Sequence, residues 1–127
     1  MNSMFKILAF LLLLCLNLGV NAQTRPATVT ADGLIILDAT ANDVAPEYVA
    51  DISRFGLASY QQAINYFQKY INVTSTRGIT YTFDLNANEM HIFVNTANQF
   101  LVPLSNVPLT VNNFNEALRQ VHEGLLN

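Results

Sequence analysis

Between residues 79 and 95 apolar and polar side chains alternate with a period of two, and this stretch narrows the fold more than any other. Ile79, Tyr81, Phe83 and Leu85 alternate with Thr80, Thr82 and Asp84. Met90, Ile92 and Val94 alternate with His91, Phe93 and Asn95. Successive side chains of a strand point to opposite faces, so each half predicts a strand with one buried side. Asn86-Ala87-Asn88-Glu89 between them is rich in turn formers. Pairing Leu85 with Met90 sets Phe83 opposite Ile92 and Tyr81 opposite Val94. Every large apolar residue except Phe93 then falls on one face, and a one-residue slip exposes the whole set. On the second face this register sets Asp84 opposite His91, Thr82 opposite Phe93 and Thr80 opposite Asn95.

The rest of the chain reads around this hairpin. Asp32-Gly33 is a turn signal. Leu34 to Leu37 is apolar at every position, the pattern of a central strand covered on both faces. Tyr48, Val49, Ile52 and Phe55 recur at helical spacing, with Pro46 at a first turn and Gly56 as a stop, which predicts a helix over 46–55. Ser59 and Gln62 form a capping box. They open a second helix to Ile71, with Tyr60, Ala63, Ile64, Phe67 and Ile71 as its stripe and Tyr66 and Tyr70 on the flank. The segment 100–104 is read as a short edge strand, because Pro103 is tolerated only at an edge. A last helix is expected from near Asn113, with Glu116 in the capping-box position. Its apolar stripe is Phe114, Ala117, Leu118, Val121 and Leu125, and Arg119 and Glu123 pair on the wet side. The expected class is α+β: a small antiparallel sheet of three or four strands under two or three helices, in the order β-α-α-β-β-(β)-α.

The N-terminus carries an export address. Lys6 gives a basic start, residues 7–15 run apolar without a charge, and Val20-Asn21-Ala22 presents small residues where a signal peptidase cuts. Residues 1–22 are therefore expected to be removed. Residues 23–33 are read as a flexible leader, since Pro26 blocks regular structure, and 34–127 as one domain. The apolar run from Phe5 to Val20 is short of the about 20 residues a membrane anchor needs. Lipidation at Cys15 is the other processing route, disfavoured by Leu14 before the cysteine. Cys15 is the only cysteine. The processed chain is thus disulfide-free and must rely on packing, which suits a bacterial periplasm or secreted fraction.

Composition excludes several classes. The chain has 6 Lys and Arg against 9 Asp and Glu. The cations Arg25, Arg54, Lys69, Arg77 and Arg119 are scattered and form no phosphate-tracking stripe, so no nucleic-acid partner is expected. No stable membrane span is expected after cleavage. Neither His91 nor His122 has a neighbour at metal-ligand spacing, and no metal or cofactor is expected. His122 is read as a solvated residue near a helix C-terminus, where a cation favours the helix dipole. Asn72-Val73-Thr74 matches a glycosylation acceptor, which matters only in a eukaryote.

What remains is the second face of the hairpin. Phe93 points away from the core its neighbours build, and apolar patches of this kind are interaction sites. Thr80, Thr82, Asp84, His91 and Phe93 are the candidate binding residues, and no catalytic residue is assigned. The leading reading is an exported, non-enzymatic module that associates with another envelope protein or with itself as a homodimer. One alternative is a small-ligand binder with a cavity between helices and sheet lined by Tyr66, Phe67 and Tyr70. A second is a hydrolase or isomerase in which Asp84 orients His91.

Overall fold

The computed structural model describes residues 24–75, 78–101 and 104–126. The expected signal peptide, with Cys15, and the positions Gln23, Arg77 and Pro103 lie outside the described residues. Among the described residues there are seven strands: β1 (Thr24–Val29), β2 (Ile35–Leu37), β3 (Glu47–Asp51), β4 (Ile79–Asp84), β5 (Glu89–Val94), β6 (Phe100–Leu101) and β7 (Val107–Pro108). Three α-helices accompany them: α1 (Tyr60–Tyr66), α2 (Gln68–Thr74) and α3 (Val111–His122). The first five strands form one sheet in the order β2-β1-β3-β5-β4, and β6 and β7 make a separate two-stranded ribbon. The α+β class holds. The sheet is larger than expected and mixed, because β1 runs parallel to β3 while every other pair is antiparallel.

The expected leader is instead a strand with neighbours on both sides. Pro26 is tolerated there for a geometric reason. Its carbonyl accepts from Asp38 N (3.0 Å), just past the end of β2. A strand residue's N–H and C=O point to the same side, so the missing N–H costs only a last rung of the ladder. The expected helix over 46–55 is also corrected. It is β3 followed by a single 3₁₀ turn over Ser53–Phe55. The helical spacing of Tyr48, Val49, Ile52 and Phe55 competes with a period of two through Tyr48, Ala50 and Ile52, all of them buried. Pairing with β1 and β5 on both sides satisfies the backbone of β3, and the strand wins.

β2 lies at the sheet edge and not at its centre. Its outer backbone groups are nevertheless capped. Asn115 of α3 accepts from Leu37 N (2.8 Å) and donates to Leu37 O (3.0 Å), standing in for a neighbouring strand. Tyr70 Oη accepts from Ile35 N (3.3 Å) and donates to Gly33 O (2.8 Å). Apolar residues on both sides of β2 thus reflect an edge closed by helices on one face, with Ile36 left exposed on the other.

The β4–β5 hairpin forms with its faces as expected but with a different register. Phe83 pairs with Met90, Tyr81 with Ile92 and Ile79 with Val94. The connection is Leu85–Asn88, one residue earlier than expected. Asn88 takes the left-handed conformation (φ 54°), which asparagine tolerates better than most residues. Asp84 Oδ1 accepts from Ala87 N (3.2 Å), fastening the turn from its first corner. Moving each pairing by two residues leaves every side chain on its predicted face.

All three helices cover one side of the sheet. Ser59 caps α1 by accepting from Gln62 N (3.1 Å), while the Gln62 side chain accepts from Ala58 N (2.8 Å). The helix continues past a break at Phe67 as α2. The cap of α3 is Thr110, which accepts from Asn113 N (3.2 Å), so the helix starts two residues earlier than expected. Phe114, Ala117, Leu118 and Val121 are buried as the stripe predicts, whereas Leu125 lies past the helix end and is 67% exposed. Glu116 does not cap; it and Glu123 hold Arg119. The core is continuous from Val29 and Ile35 through Tyr48 and Ile92 to Phe114 and Leu118.

Candidate functional site

The opposite side of the sheet carries no helix among the described residues. Its strands direct Thr24, Pro26 and Thr28 (β1), Ile36 (β2), Glu47, Val49 and Asp51 (β3), Glu89, His91 and Phe93 (β5) and Thr80, Thr82 and Asp84 (β4) toward this face. The burial alternation of each strand places them there. The register arranges them in rows across the sheet. One row runs Thr24, Glu47, Phe93, Thr80 and the next Pro26, Val49, His91, Thr82. A third places Asp51, Glu89 and Asp84 side by side.

All five candidate binding residues therefore share one open face. Their expected pairing is corrected. His91 stands opposite Thr82, and Asp84 stands opposite Glu89. The carboxylate that orients His91 is Glu47, on β3, whose Oε2 lies 2.8 Å from His91 Nδ1. Glu47 Oε1 accepts in turn from the Thr24 hydroxyl (3.0 Å). On its other side His91 Nε2 faces Glu89 Oε1 at 3.6 Å. The Glu47 hydrogen bond, supported by the charge of Glu89, raises the His91 pKa above its usual value. The same bond to His91 holds Glu47 below the usual carboxylate range. The His91 ring also stacks on Phe93, with centroids 6.3 Å apart and planes 17° apart.

This arrangement occupies both nitrogens of the imidazole. A general base needs a nitrogen lone pair aimed at the substrate. Here both ring nitrogens are directed at carboxylates, and Asp84 does not reach the imidazole. Among the described residues no group of three or more His, Cys, Asp or Glu side chains is placed to hold a metal ion.

Glu47, Val49 and Glu89 surround His91 on this face, and sequence reasoning missed them as site residues. The signal was present in the alternation of Glu47, Val49 and Asp51 with Tyr48 and Ala50, but an expected helix concealed it.

The proposed aromatic cavity is a packed layer. Phe67 and Tyr70 are buried, and Tyr66 is exposed. Phe55 packs on Tyr66 (centroids 4.6 Å apart), Tyr66 on Phe67 (4.9 Å) and Phe67 on Phe83 (5.8 Å). Phe67, fully buried, is the ring that joins the exposed Tyr66 to Phe83 of the sheet.

His122 occupies a second polar cluster on the covered side. Its Nε2 lies 3.2 Å from Asp32 Oδ2 and its Nδ1 3.3 Å from Tyr70 Oη. It ties the β1–β2 turn to α2 and α3 and is not a free solvated side chain. Asp32 lies below the usual carboxylate range through its bonds to the Thr30 hydroxyl and to His122. Burial pushes the Tyr70 hydroxyl up to about 12, so it stays protonated and serves as a structural donor. Gly33 in this turn has φ 92°, and a Cβ there would meet Tyr66 Oη at 3.1 Å.

No helix of the described residues is long and apolar enough to cross a membrane. The chain matches no protein-family model, no curated protein and no solved structure.

Proposed function

We propose that this chain is an exported binding module of the bacterial envelope or secreted fraction, acting by protein association through the open face of its sheet. One observation carries the reading. Thirteen side chains from five strands form a continuous face with no helix of the described residues on it, and Phe93, 40% exposed, sits in it beside His91. A sheet side left bare, with apolar residues such as Phe93, Ile36, Pro26 and Val49 among polar ones, has the make-up of an association surface. Export is supported by the apolar leader ending in Val20-Asn21-Ala22 and by the absence of cysteine after Cys15.

The test is Phe93→Ser. Its ring contributes nothing to the covered core, so the variant should fold. Light scattering of the purified protein and recovery of the wild-type partner from envelope extracts should both be compared with wild type. Loss of the complex, or of the oligomer, at unchanged helicity supports the reading. Unchanged oligomer mass together with unchanged partner recovery rejects it. Mass spectrometry should find Gln23 at the N-terminus of the exported form.

A further inference from the structure

We infer that the open sheet face docks a cationic polypeptide segment, whose lysine or arginine stems lie over Phe93 and Val49 while their heads reach Glu47, beside Phe93, and the acidic row beyond Val49. This deepens the reading of the face as an association surface and rests on it. The charge on the face is one-sided. Asp51, Glu89 and Asp84 are neighbours in register along one row, and Glu47 stands four residues from Asp51 on β3, on the far side of Val49. Among the described residues no strand directs a lysine or arginine toward this face. Arg25 of β1 faces the other way and is bound to Asp43 (3.1 Å), and Arg54 lies beyond the end of β3, beside Asp51. Among the described residues His91 is the one basic side chain within the face, and it is held by Glu47 and Glu89.

The chemistry selects among occupants. A second copy would bring the same carboxylates against their equals, and like-charge juxtaposition across an interface is strongly penalised. Nucleic acid and anionic lipid are repelled for the same reason. A bare metal ion finds no convergent ligand set among the described residues. Long cationic side chains match both parts of the surface. Their methylene stems cover apolar area while the charged head stays hydrated at its edge. Phe93, Val49, Pro26 and Ile36 supply that apolar area next to the carboxylates.

The experiment is an NMR titration of the ¹⁵N-labelled protein with a capped peptide of alternating lysine and leucine. Its glutamate–leucine counterpart and spermidine are run in parallel. The expected result is shift changes at the amides of Glu47, Asp84, Glu89, His91 and Phe93 with the lysine peptide, fading as salt is added. The double variant Asp84→Asn, Glu89→Gln retains the Ala87 turn contact at residue 84. It should weaken lysine-peptide binding by about fivefold, the effect of losing two rim charges. Equal binding of the glutamate peptide at the same amides overturns the cationic preference while leaving the association surface intact. Equal binding of spermidine overturns the polypeptide. Failure of the lysine peptide to shift this face, or an unweakened double variant, overturns the inference, and neither result depends on the Phe93→Ser outcome.

Discussion

Ile92 and Phe93 are consecutive residues of one strand, with comparable apolar area, and they meet opposite environments. Ile92 is 1% exposed beneath the helices, while Phe93 is 40% exposed on the bare side. The covered side is closed by interlocking rings and by side chains that satisfy the sheet's edge. The open side is ordered by charge and hydroxyl groups around a few apolar residues. The difference teaches that the pleat alone separates two environments: one face holds the fold together, and the other is left uncovered by the described helices.

The largest effect should come from Ile92→Ala. Removing a fully buried branched side chain costs about 2–5 kcal/mol, since the surrounding structure relaxes only partly. Phe93→Ser should cost less than about 1 kcal/mol, the range of a substitution at an exposed sheet position. Urea denaturation of both variants measures the contrast. Similar losses at the two positions would break the comparison, because both faces would then be supporting the core.

Tyr70→Phe probes how the covered side is sealed. The hydroxyl it removes donates to Gly33 O, accepts from Ile35 N and faces His122. Buried backbone groups left without partners cost about 1–3 kcal/mol. Hydrogen exchange should sharpen the result, with the amide of Ile35 losing protection while that of Ile92 keeps it until global unfolding. If both amides lose protection together, the β2 edge is not a separately capped unit.

The hairpin and its two faces were legible because a period of two over a dozen residues admits one burial pattern. The apolar stripe of α3 was legible for the same kind of reason, and that of α1 and α2 only in part, since Tyr60 is exposed and Tyr70, read as a flank, is buried. β1 was not, because Pro26 argues against a strand unless the end of β2 is known to lie beside it. β3 was hidden by an accident of spacing, in which Tyr48, Val49, Ile52 and Phe55 satisfy a helical period as well. The edge position of β2 depends on Asn115 and Tyr70, far away in the chain, and local pattern carries no trace of either. The candidate residues Thr80, Thr82, Asp84, His91 and Phe93 fell on one face because the two-residue shift in register preserves facing. The partner of His91 did not emerge, since Glu47 is 44 positions away and belongs to the misread strand.

The smallest expected effect concerns that partner and is read from pH. Folding raises the His91 pKa above its usual 6.5 and lowers that of Glu47 below its usual 4.5, each through the bond to the other. For a raised histidine, the stabilisation is complete below the unfolded value and is lost as pH climbs through the folded one. For a depressed carboxylate it is complete above the unfolded value and is lost as pH falls through the folded one. Both contributions are therefore fully present only between about pH 4.5 and 6.5. The pair is partly screened, each side chain being 25% exposed, so its contribution is about 0.5–1 kcal/mol. Chemical denaturation across pH should show wild type gaining that much over Glu47→Gln within this interval, with the gain shrinking on both sides. Glu89 faces the same ring on β5, and Glu89→Gln should let the loss above pH 6.5 run to completion at a lower pH, by removing the second charge that favours imidazolium. A pH-independent difference between wild type and Glu47→Gln would mean that Glu47 supports the sheet through Thr24 and not through His91. The open face would then carry its histidine without an ion pair, in contrast to His122 on the covered side, whose contacts with Asp32 and Tyr70 join three elements of the fold.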